Sequence, residues 1–139
     1  MARSPVFDTS VFSPFKKQIE TQIGFSLLPS IVLFELSATS IDQSALQKYD
    51  RWRKLLIKNR RLLTPSALDW WETAKSIRRL YLKKTAPISK LRTLQNDALI
   101  ARLAVKNDGF VVTMDVDDFE IIKREMPNLE VVSANYFFS

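Results

Sequence analysis

The chain has 139 residues and a formal net charge of +6, with 46% hydrophobic and 26% charged side chains. That length supports one globular domain with a proper core, and the composition is not that of a disordered chain. It contains no cysteine and no histidine, which excludes disulfides, zinc sites built on sulfur or imidazole, thiol nucleophiles and serine–histidine triads.

Pro5-Val6-Phe7 predicts a short buried strand ending at Asp8, after which Ser10 or Ser13 would cap a helix running to about Gln22. Gly24 to Leu28 reads as a second strand. Ser30 follows Pro29 and opens the apolar run Ile31 to Leu36, a helix expected to be buried on most sides except where Glu35 points. From Asp42 to Asn59, Ala45, Tyr49, Trp52 and Leu56 recur at helical spacing and define one apolar face. Leu62 to Thr64 is a brief strand. Pro65-Ser66 then starts a helix whose apolar face is expected to be Trp70, Ala74, Ile77 and Tyr81, ending in the basic cluster Arg78, Arg79, Lys83 and Lys84.

A loop around Pro87 leads to Thr93 or Asn96 as the cap of a helix through Ala98 to Val105, closed near Gly109. Phe110 to Thr113 predicts a strand ending at Asp115, followed by a short helix from Asp118 to Arg124 and a last strand from Leu129 to Val132. Short apolar strands alternating with helices imply an α/β domain with a mainly parallel sheet and helices on both faces, with a helical bundle as the alternative. No internal repeat, low-complexity tract or interdomain linker divides residues 1–139.

The chemistry open to such a chain uses carboxylates, and oxygen donors suit magnesium or manganese. Asp8 and Asp115 follow strands, and ligands bind at the C-terminal ends of parallel strands. Glu35 interrupts an apolar helix, where a charge is costly unless it is paired or holds a metal. Asp97 lies in the first turn of a helix, a place that plain capping also explains. Converging carboxylates repel one another unless a cation intervenes, so the set as a whole points to a divalent ion.

Val6-Phe7-Asp8-Thr9-Ser10, Glu35-Leu36, Asn96-Asp97-Ala98-Leu99-Ile100-Ala101 and Thr113-Met114-Asp115 with Asp118-Phe119 resemble, in order and over nearly the whole chain, the motifs of the PIN-domain family, particularly VapC-type toxin ribonucleases. The resemblance implies a compact three-layer α/β/α sandwich around a parallel sheet, an acidic pocket binding Mg2+ or Mn2+, and endoribonuclease activity. It also implies a small antitoxin partner and a homodimer. Carried over by position, Asp8, Glu35, Asp97 and Asp115 match the acids of the site, and Asp118 shares or takes the fourth role. Asp117 reads as a solvated neighbour or helix cap. Thr9, Ser10 and Thr113 match small hydroxyl residues that orient the acids or a metal-bound water.

The positive charge favours polyanionic partners, nucleic acid or an anionic membrane surface. Lys83, Lys84, Lys90 and Arg92 are candidates for guiding an RNA backbone toward the acids, with Arg78, Arg79 and Arg102 as further ones. Trp52, Trp70 and Trp71 are candidates for base stacking, although aromatic residues at helical spacing commonly form core. Trp71, Tyr49 and Tyr81 are candidates for a groove or dimer surface. No apolar stretch of signal-peptide length precedes Asp8, and the run Phe25 to Ala38 is broken by Pro29 and Glu35, so a cytoplasmic protein is expected. Three alternatives compete. A phosphatase of the haloacid-dehalogenase kind needs a second aspartate where Ser10 stands; a non-catalytic binding module on the same fold and a structure-specific DNA nuclease both keep the pattern.

Overall fold

The structure is a computed structural model that describes residues 3–139; Met1 and Ala2, the start of the segment expected to carry no leader, lie outside them. Three parallel strands form the main sheet: β1 (Ser4–Phe7), β4 (Gly109–Thr113) and β5 (Val131–Ser133), in the order β1-β4-β5. A second parallel pair, β2 (Leu28–Pro29) and β3 (Leu62–Leu63), is tied to β1 by a 2.9 Å hydrogen bond from the Leu27 amide to the Pro5 carbonyl. Consecutive strand residues point to opposite faces. Val6 with Phe7 in β1, and Val111 with Val112 in β4, are all fully buried, so helices cover both faces of the sheet. The architecture is therefore the expected α/β/α sandwich and not a helical bundle.

Gly109 starts β4 for a steric reason. A Cβ there would stand 2.9 Å from Val6 Cγ2 and 3.1 Å from the Ser4 carbonyl oxygen. The left-handed residue that leaves the preceding helix is Asp108, with φ of 54°, so the glycine is not the cap expected of it.

Among the described residues there are eight α-helices, seven between strands and one after the last: α1 (Lys16–Gln22), α2 (Ser30–Ala38), α3 (Gln43–Lys58), α4 (Ala67–Leu82), α5 (Ile88–Thr93), α6 (Gln95–Lys106), α7 (Val116–Lys123) and α8 (Ala134–Phe137). Several expectations need correction. Neither Ser10 nor Ser13 caps α1, which begins after Phe15 without a side-chain cap; the Ser10 hydroxyl is engaged by Asp8 and by the Met114 amide. Of the strand expected over Gly24 to Leu28, only Leu28 is in one, as the first residue of β2. The amide and hydroxyl of Ser26 both bond back to the Ile23 carbonyl, closing a 3-10 turn over Ile23–Phe25. In α2 the outward residue is Phe34, 71% exposed, whereas Glu35 is half-buried.

The largest departure is in α4, whose buried residues are Asp69, Thr73, Ser76 and Leu80. Trp70 is 56% exposed, and Ala74 and Tyr81 are also exposed. The face turned inward is polar because α6 meets it with countercharges: Arg102 Nε lies 3.1 Å and Lys106 Nζ 3.2 Å from the fully buried Asp69 carboxylate. Asp69 also completes a reciprocal capping box with Ser66. Between Pro87 and Asp97 the chain is not a plain loop but α5, which runs through Leu94 straight into α6. Finally, α8 brings Phe137 and Phe138 against Phe7, with ring centroids 5.7 Å away in each case.

Candidate active site

Asp8 follows β1 and Thr113-Met114-Asp115 follows the neighbouring β4, so the parallel register places both at the same C-terminal edge of the sheet. Asp8 is 2% exposed and tightly held. Its Oδ1 accepts from the Ser10 amide at 2.9 Å and from the Ser10 hydroxyl, and its Oδ2 accepts from Thr113 Oγ1 at 2.7 Å. Burial pushes its carboxyl pKa up against those hydrogen bonds, and the Asp115 charge adds to the rise. With two acceptor directions per carboxylate oxygen, Oδ2 retains one for a ligand.

Asp97 is brought to the same place by α6. It lies in the first turn of α6, whose N-cap residue Leu94 makes no side-chain cap bond. Burial, followed by the charges of Asp8, Asp115, Asp118 and Glu35, pushes its pKa up to about 7. Glu35, on α2, is raised by burial and by Asp8, an effect opposed by the nearby Thr9 hydroxyl. Thr9 Oγ1 is itself buried without a hydrogen-bond partner of good geometry. Asp115 is exposed, sits at the N-terminus of α7 without making a cap bond, and has its own amide held by Thr113 Oγ1 at 2.8 Å. Asp118, one turn further on, is engaged by Lys90 at 2.6 Å.

The other four acids thus all bear on the charge of Asp97. Among the described residues, however, no three acidic side chains are gathered closely enough to form a finished metal cage. The donor set still fits a hard divalent cation: every donor is oxygen, Asp8 and Asp97 keep free acceptor capacity, Asp115 is uncommitted, and the orphaned Thr9 hydroxyl can bond a metal-bound water.

The basic candidates divide. Lys90 stands at the acids, whereas Lys83 and Arg79 pair with Glu125 and Arg102 pairs with Asp69. Lys84 is exposed beyond the end of α4, with φ of 53°. Arg78 and Arg92 flank an open apolar groove of about 520 Å³ between α4 and α5, built on Trp70, Ala74, Ile77, Tyr81, Ile88 and Leu91. Trp52 is core, packed on Phe12 and Tyr49, and Trp71 is 64% exposed. The residue pair that sequence reasoning missed is Lys90 with Asp118. Its one available signal was the apolar spacing of Ile88 and Leu91 after Pro87, which marks α5 as a helix.

The fold agrees with that of several solved structures. DNA-bound VapBC from Salmonella typhimurium matches with a TM-score of 0.63 at 18% identity, covering 96% of this chain and 99% of that one. This is the PIN fold. FitAB bound to an IR36 DNA fragment matches with a TM-score of 0.63 at 14% identity, covering 94% of each chain. VapBC-1 from nontypeable Haemophilus influenzae matches with a TM-score of 0.59 at 18% identity, covering 94% of this chain and 98% of that one. No family model matches the sequence, and no curated protein matches it either. Among the described residues, no helix is long and apolar enough to cross a membrane.

Proposed function

We propose that this PIN domain is a divalent-metal-dependent endoribonuclease and the toxin of a type II toxin–antitoxin pair. The observation that carries the reading is the position of Asp97, whose pKa is pushed up to about 7 by burial and by four neighbouring acids. Such crowding is unfavourable in an empty cleft and becomes favourable around a cation.

When bound, Mg2+ or Mn2+ supplies Lewis acidity toward a phosphate oxygen and lowers the pKa of water. Asp8, Asp97 and Asp115 would hold the ion. Ser10 and Thr113 fix the orientation of the Asp8 carboxylate, so its free lone pair has one direction. Glu35, half-buried and with a raised pKa, would accept a proton from the attacking water at its carboxylate. Thr9 is beside it to orient that water. Lys90 offsets the negative field that would otherwise repel a phosphodiester.

A protein partner is supported by the apolar groove between α4 and α5, which leaves Trp70 and Tyr81 exposed. The VapBC and FitAB assemblies with the same fold support an antitoxin in that role, and a second copy of the chain is the other occupant. Light scattering of the chain alone, then with the product of an adjacent reading frame, separates the two.

The catalytic test is a comparison of RNA and DNA oligonucleotides with Mg2+, with Mn2+ and with a chelator. Metal-dependent cutting of RNA, lost in Asp97→Asn, supports the proposal. Cutting of DNA alone would make it a DNA nuclease. Metal binding and cleavage both absent would make it a binding module on a PIN fold.

A further inference from the structure

The pairing of Lys90 with Asp118 bears on how many ions the cleft takes. Lys90 Nζ lies 2.6 Å from Asp118 Oδ1, and Asp115 and Asp97 also act on its charge. The lysine is anchored: α5 is held to the core by Leu91, 2% exposed, and continues through the fully buried Leu94 into α6, which carries Asp97. Lys90 and Asp97 therefore belong to one connected helical segment.

On the other side, Asp115 and Asp118 are three residues apart at the start of α7 and share a helix face. Only Asp118 is bonded to the lysine; the Asp115 side chain caps nothing. Lys90, Asp115 and Asp118 line an open depression of about 360 Å³ together with Met114, Val116 and Asp117. A negatively charged phosphodiester entering there meets an ammonium group among the carboxylates.

We infer that Lys90, tethered by Asp118, is a built-in cation of the acid cleft. It stands where a second divalent ion would otherwise be drawn, so that the site takes a single ion and Asp118 is a positioning residue and not a metal ligand. This rests on the reading of the cleft as a metal site. It assigns the fourth acidic ligand to Asp115, and it predicts that Lys90 lowers affinity for the metal while raising tolerance for phosphate. Removing one unit of positive charge beside a divalent ion should tighten its binding on the order of tenfold.

The experiment is calorimetric titration of the full-length chain with MnCl2, each variant being checked for native circular dichroism. The wild type is expected to bind one ion. Lys90→Met should bind Mn2+ about tenfold more tightly or take up a second ion, and Lys90→Arg should restore wild-type affinity. The double variant Lys90→Met with Asp118→Asn leaves the net charge unchanged and should keep affinity within about threefold of wild type, whereas Asp115→Asn should lose it. The inference is overturned if Lys90→Met binds as the wild type does, or if the double variant loses the ion while folded. A wild type that binds no Mn2+ overturns the metal-site reading as well, which distinguishes the two failures.

Discussion

Thr113 and Asp8 stand 105 positions apart in sequence and are joined by a 2.7 Å hydrogen bond from the buried threonine hydroxyl to Asp8 Oδ2. The same hydroxyl accepts from the Asp115 amide at 2.8 Å. One side chain thus fixes the orientation of the first acid and the backbone of the last, across the β1–β4 pair. Thr113→Val keeps the volume and removes the hydroxyl. It leaves Asp8 with one bond fewer and strands a backbone amide, at a cost of about 1–3 kcal/mol. Urea denaturation should show that loss, with cleavage reduced at least about tenfold. Wild-type stability in this variant would mean the hydroxyl does not organise the site.

Asp97 makes stability depend on pH in the unusual direction for a carboxylate. Its folded pKa of about 7 exceeds the ordinary 3.8, so the folded state favours the neutral acid. The contribution is fully present below pH 3.8 and is lost as pH rises through about 7. The distance between those values sets a ceiling of about 4 kcal/mol, reduced by partial exposure. Without metal, Asp97→Asn should be more stable than wild type at pH 8, with the gap closing by pH 4. Thermal melts across that range in the presence of a chelator are the check, and a gap that does not change with pH would contradict the assignment.

Asp69 has the opposite dependence and lies away from the acid cleft. Burial works against its charge, but bonds from the Ser66 amide, Lys106 and Arg102 outweigh it and hold its pKa at about 2. This contribution is present above pH 3.8 and is lost as pH falls through about 2. Asp69→Ala removes the capping-box bond and leaves two partly exposed cations at the α4–α6 contact without their partner, and should cost about 1–3 kcal/mol. Because none of the five acids touches it, Mn2+ affinity measured under conditions where the variant remains folded should be unchanged. A lost metal response in the folded variant would link the two regions.

The two strand ends at the candidate site were legible as structure because each is a short apolar run that stops at an acid. Phe7-Asp8 and Thr113 to Asp115 signal both the buried strand and the edge where it ends. Asp97 was marked by its motif and ambiguous through its helix position; what distinguishes it in the structure is burial together with the charges of four other acids, which no local pattern contains. The face of α4 was not legible. Periodicity assigns Trp70 and Tyr81 inward, but Asp69 takes the interior because its partner Arg102 is 33 positions away on α6, a contact no local pattern contains. The Lys90–Asp118 pair escaped for the same reason. The two short structures at Ile23–Phe25 and α8 are fixed by a serine bonding back to its own turn and by two terminal phenylalanines packing on Phe7. Neither carries enough residues to show a period.

The demand for a divalent ion proposed for the acids of β1, α2, α6 and the end of β4 is read most directly by a thermal melt with and without Mn2+ at pH 8. Mn2+ at about a hundred times its dissociation constant should stabilise the wild type by roughly 2.7 kcal/mol, a rise in Tm of about 5–10 °C. Asp97→Asn, already freed of its crowding, should show little or none of that rise. An equal shift in both proteins, or no shift in the wild type, would contradict the account.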